Sequence, residues 1–162
     1  MSTLLTVSED QLVAELWARD VRFILGAPSG FPPALTPVNL IAALAESREA
    51  RLQLSLIPLF LRHPEFASEA NAATKEVTPA AQLILKCFYS AAVWLEQKHL
   101  LRKELPDLFS KEIGLTPTND PDENLHLLAE RQEKLSRSHI NWIGTYQHAA
   151  YVWLKEMELQ QA

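Results

Sequence analysis

Two short patterns in this sequence have the residue types of a metal site. Glu96-x-x-His99 and Glu123-x-x-His126 both place a carboxylate and an imidazole three positions apart. On a helix that spacing puts both groups on one face, as in helical bundles that hold a pair of iron or manganese ions. Such a centre also requires two inward glutamates from other helices, and Glu15 and Glu46 are the candidates in the early part of the chain. The signal is weak, because glutamate is abundant and chance alone produces such a pair. Glu123 also has a plain duty as the third-position partner of a cap at Asp120. His126 would point away from the apolar side marked by Leu128 and Leu135. A carboxylate–histidine metal enzyme is therefore the outlying reading, and no cofactor is expected. Cys87 is the only cysteine, so neither an internal disulfide nor a thiolate metal cluster can form, which suits a reducing cytosol.

A second pattern is cationic. Lys98, Arg102 and Lys103 stand near the end of one long helical stretch, and Arg131, Lys134 and Arg137 recur every three residues on the next. In an antiparallel hairpin the two groups would approach one another and form a ridge able to hold a phosphate or a nucleic-acid backbone. Glu104, Glu130 and Glu133 are interleaved with it, which is the pattern of a solvated face laced with ion pairs.

His139, with Arg137, Asn141 and Tyr146 close in sequence, is a candidate general base or RNA-cleaving histidine. Its place in the apolar stripe between Leu135 and Trp142 predicts instead a buried histidine paired with a neighbour. Residues 26–36, GAPSGFPPALT, lack the lysine and spacing of a phosphate-binding loop, and Ser29 falls one place late for a nucleophile elbow. Phe31-Pro32-Pro33 has the makings of a docking segment, but the stretch reads first as a rigid connector. Residues 37–46 and 50–62 have the outline of a helix-turn-helix, yet the second helix has no polar face to read base edges. Trp17, Trp94, Trp142, Trp153 and Tyr151 are many large rings for one small domain. Trp142, Tyr146, Tyr151 and Trp153 are therefore the expected interface residues.

The elements that would carry these groups are helices. The organising stretch is Arg51–Arg62, RLQLSLIPLFLR, in which Leu56 to Leu61 has no polar residue. A helix apolar on every side lies inside the protein. Residues 52–56 alternate with strand period, but no second strand-like run exists for them to pair with. Pro58 removes the bond to Leu54, so a kink is expected. Ser8 followed by Gln11 predicts a helix over 8–25, stopped by Gly26. Thr36-Pro37 opens a helix over 37–46, and Ser47 is expected to cap the central one. His63-Pro64 ends the central helix and begins another over 64–73. Thr78-Pro79 begins a long helix over 79–105, followed by a linker whose Phe109, Ile113 and Leu115 tuck onto the body. Asp120-Pro121 opens a helical region over 121–159. One straight helix of that length would reach roughly 57 Å, so a break is expected between Ser136 and Gly144.

The 162 residues suit one domain, with 48% apolar, 22% charged and 4 Gly residues. A net charge of −5 and a pI near 5.5 oppose whole-surface attraction to nucleic acid or anionic membrane. MSTLLTVSEDQL does not read as a signal peptide, and no apolar run is long enough to span a bilayer. The expectation is an all-α, single-domain cytoplasmic bundle of six to seven helices with a central buried helix and two long C-terminal ones. Its expected role is a non-enzymatic protein-interaction or regulatory module, self-associating or binding a protein partner. Nucleic acid is the less favoured partner.

Overall fold

The computed structural model describes residues 7–24 and 34–161, which contain helices and no strand. In order they are α1 (Glu9–Ala18), α2 (Pro37–Glu46), α3 (Ala50–Leu54), α4 (Leu56–Arg62), a 3-10 turn (Pro64–Phe66), α5 (Ala67–Thr74), α6 (Pro79–Leu95), a π turn (Glu96–Leu100), α7 (Pro121–Ser136) and α8 (Trp142–Gln161). The all-helical bundle matches the class expected from the sequence. Among the described residues no helix is long and apolar enough to cross a membrane.

The leucine-dense stretch is the centre. Leu56, Ile57, Leu59 and Phe60 are 0% exposed, and α4 packs against α2, α6 and α8. The kink falls at Ser55, three residues before Pro58. Pro58 cannot donate to Leu54, and its ring would crowd that carbonyl. The helix therefore stops at Leu54 and restarts at Leu56, leaving Pro58 third in α4, where an N–H would have no intrahelical partner anyway. The Ser55 hydroxyl donates to Leu52 O at 2.5 Å across the break. Glu49, rather than Ser47, is the N-cap of α3.

Two further ends differ from expectation. α1 stops at Ala18 instead of running to residue 25. Asp20 takes a left-handed conformation, φ 61, and its N–H donates to Trp17 O while the Val21 N–H donates to Leu16 O. That paired geometry closes a helix and turns the next apolar residue inward, and Val21 is 1% exposed. α6 ends at Leu95 instead of 105, loosening into the π turn and stopping at Leu101, φ 52. The cause is Glu96, which is 0% exposed: its carboxylate accepts from Arg102 Nε at 2.8 Å and Leu105 N at 2.9 Å, and this draws the chain back over itself.

The remaining signals act as read. Ser8, Thr36 and Thr78 accept from backbone N–H groups at the starts of α1, α2 and α6. Phe109 and Ile113 bury into the body, and Tyr89 packs edge-on against both Phe60 and Phe109. The last helical region breaks at 137–141, inside the expected window, and Asn141 Oδ1 accepts from Gly144 N at 3.1 Å to begin α8. Of the connector 26–36 only 34–36 are described. The readings built on Ser29 and on Phe31-Pro32-Pro33 lie outside the described residues.

Candidate functional site

The four helices α3, α6, α7 and α8 do not close completely on one another. Between them lies a cleft of about 360 Å³, within the size range of small-molecule sites. From α3 it takes Arg51, Gln53 and Leu54, and from α6 Leu83, Ile84 and Phe88. Gln132 and Ser136 of α7, Ser138 and Ile140 of the connector, and Trp142 and Thr145 of α8 form the rest of the wall. The cleft borders two breaks in the helical run: α3 ends at Ser55, and Ser138, Ile140 and Trp142 of its wall belong to or adjoin the break at 137–141.

Its chemistry is set by which polar groups are already engaged. Gln53 donates to Ser47 O at 2.7 Å, Ser136 to Gln132 O at 2.6 Å and Thr145 to Asn141 O at 3.0 Å. Gln132, itself 1% exposed, accepts from the Tyr146 hydroxyl. Other donors remain. The Trp142 indole N–H is buried without an acceptor among the described residues. The Arg51 guanidinium lies at the rim, 72% exposed, with Glu49 no nearer than 3.7 Å. The lining holds no carboxylate, histidine or thiol, and hence no group suited to proton transfer near neutrality. What it offers is mostly apolar surface, a few unengaged donors and one cation.

The residues picked out by sequence pattern fall elsewhere or are engaged. Lys98 donates to Asp122 Oδ1 at 2.6 Å, and that hydrogen bond, against a smaller burial effect, holds the Asp122 carboxyl below its ordinary range. Arg102 binds Glu96 and donates to Leu61 O at 2.8 Å. Arg131 donates to Ile113 O at 2.6 Å and lies against Gly114, where a Cβ would come within 2.9 Å of its guanidinium and where φ of 82 already disfavours a side chain. Lys103, Lys134 and Arg137 are exposed. Lys98 sits level with the first turn of α7, whereas Arg131 comes nine residues later, roughly 14 Å along the helix. The six cations therefore do not form one ridge, which corrects the expectation that the hairpin would gather them.

The metal pattern also separates. Glu96 is spent on Arg102 and Leu105, Glu123 is exposed, and His126 Nδ1 is paired with Asp122 O at 2.9 Å. Burial first, then the neighbouring Lys98 charge, pushes the His99 imidazole below its usual range. Glu15, 2% exposed, accepts from Ala34 N and Leu35 N at 2.8 to 3.0 Å and so anchors the start of α2. Among the described residues no three His, Cys, Asp or Glu gather as a metal site. His139, expected to be buried, is 97% exposed, because it lies in the connector and not in a continuous apolar stripe.

The expected interface is likewise redistributed. Tyr146 is 0% and Trp153 6% exposed, both facing the core, and Trp142 lines the cleft. Tyr151 alone of the four is exposed, at 61%. Of the five rings counted as many for one small domain, Trp94 and Trp153 are buried, Trp17 and Trp142 are partly buried and Tyr151 is exposed. No signal in the sequence separates Ile84 and Phe88 from the rest of the core stripe of α6, so the cleft was not legible before the fold.

No family model, no curated protein and no solved structure matches the chain.

Proposed function

We propose that the protein is a non-enzymatic regulatory binding module whose working surface is the α3–α6–α7–α8 cleft. The observation that carries this is the lining itself: mostly apolar, with Gln53, Ser136 and Thr145 bonded within the chain, and with no carboxylate, histidine or thiol. Such a site binds without transforming what it binds. Ile140 and Trp142 belong to the junction of α7 and α8, so an occupant would bridge α3 and α6 to that junction. Filling the cleft would then bias the junction, which is how a small module reports a ligand to a partner.

The test uses decanol, a neutral probe of suitable size, titrated into the full chain by calorimetry. Saturable binding with one site supports the reading, provided that Ile84→Trp and Leu83→Trp, which fill the cleft, each abolish it while keeping the native helical spectrum. Absence of saturable binding contradicts it.

Self-association is a second reading, favoured by Tyr151 and Leu159, 61% and 70% exposed and about 12 Å apart along α8. Light scattering across micromolar concentrations tests it. A dimer lost in Tyr151→Glu supports the reading, and a monomer throughout removes it.

A further inference from the structure

The geometry points to a particular occupant for the cleft: a small amphiphile with one negative charge. It would be an alkyl or aryl carboxylate whose body lies against Ile84, Phe88 and Trp142 and whose head meets Arg51. This rests on the cleft being the binding site, as proposed above.

Three observations select it. The first is charge. Among the described residues Arg51 is the sole ionic residue of the lining, and its one carboxylate neighbour there, Glu49, stands 3.7 Å away with 39% of its side chain exposed. A guanidinium so loosely paired is open to a carboxylate, which it can grip with two parallel hydrogen bonds. The second is polarity. Gln53, Ser136 and Thr145 donate to the chain itself, Gln132 accepts from Tyr146, and the only neutral hydroxyl of the lining that donates to nothing among the described residues is Ser138. A ligand rich in hydroxyls or amides would find most of its groups unmatched and would lose their hydration without return. The third is size. The cleft, at about 360 Å³, has a little over twice the roughly 150 Å³ of a cavity that admits benzene, so it holds on the order of a dozen non-hydrogen atoms. That is a ten-carbon chain or a two-ring system, not the face of a partner helix. An anionic bilayer is opposed by the net charge of −5.

The experiment is calorimetric titration of the full chain with decanoate, decanol and decyltrimethylammonium, each below its micellar range. Decanoate is expected to bind with a Kd on the order of 100 μM, at least fivefold tighter than decanol, and decyltrimethylammonium at least fivefold weaker than decanol. Arg51→Gln, at an exposed position with no folding duty, is expected to bring decanoate to the affinity of decanol and leave decanol unchanged. Decanol binding without a decanoate preference overturns the charged head while leaving the cleft reading intact. A preference that survives Arg51→Gln also overturns it. Binding of none of the three overturns both readings. Dimerisation that decanol competes away would place a second copy in the cleft and overturn the small-ligand assignment.

Discussion

Glu96 carries an outsized share of the fold for one residue. Its carboxylate, with no exposed surface, joins the end of α6 to Arg102 and to the Leu105 N–H. Removing it leaves the buried Leu105 N–H without an acceptor and takes one of three partners from Arg102, which keeps Leu61 O at 2.8 Å and Glu104 at 3.4 Å. Glu96→Ala is expected to cost about 2 kcal/mol in urea unfolding, the scale for leaving a buried donor unpaired. A loss below 1 kcal/mol would mean water replaces it freely. Cys87 gives a second test. Burial pushes its thiol from 9.0 up to about 12. In the folded chain the thiol keeps its proton at pH values where the unfolded chain has released it. This contribution is thus intact below about pH 9 and is lost as pH rises from there toward 12. Cys87→Ala is expected to flatten the alkaline fall in stability over that window. In the native chain at pH 8, iodoacetamide should leave Cys87 unmodified, and rapid alkylation would show it reachable.

At the scale of elements, ends decide more than interiors. Arg137 closes α7 in a left-handed conformation, φ 55, with its side chain exposed. Glycine adopts that conformation freely, so Arg137→Gly is expected to stabilise the fold by roughly 0.5 to 1 kcal/mol in thermal unfolding. A loss would show that the arginine makes a contact that matters. Gly144 behaves oppositely. A Cβ there would come within 2.7 Å of Asn141 Nδ2, the residue that caps α8. Gly144→Ala is expected to displace the cap and cost about 1 kcal/mol, with disturbance spreading to the adjoining Trp142 wall.

These ends also explain what the sequence made legible. Caps with a following proline, at Thr36, Thr78 and Asp120, gave the starts of α2, α6 and α7, because a cap is local chemistry within four residues. The stops at Asp20 and Leu101 were missed because each rests on a non-glycine residue in a left-handed conformation, with no glycine or proline to mark it. Arg19, beside Asp20, is held by Glu15 and Leu35 O, and the turn after Leu101 is held by Glu96. The buried dodecamer was legible from composition alone. The cleft was not, since it is a space left between helices far apart in sequence. His139 was misplaced for a related reason: the apolar period ran through a break whose position the period could not show.

At the scale of the molecule, two breaks in otherwise continuous helical stretches border one cleft in a bundle centred on α4. A ligand that binds only the folded chain stabilises it by about 2.7 kcal/mol at a hundredfold excess over Kd. For a chain of this length that corresponds to a rise of roughly 5 to 10 °C in Tm. Decanoate is expected to produce such a shift in the native chain and almost none in Ile84→Trp.

The central claim, that the cleft takes a ligand, is tested most directly by the four tryptophan indole N–H signals in a nitrogen–proton NMR spectrum during titration with decanol. The expected result is a saturable shift of the Trp142 signal, assigned through Trp142→Phe, with Trp17, Trp94 and Trp153 nearly still. Shifts spread evenly over all four, or none that saturates, would contradict it.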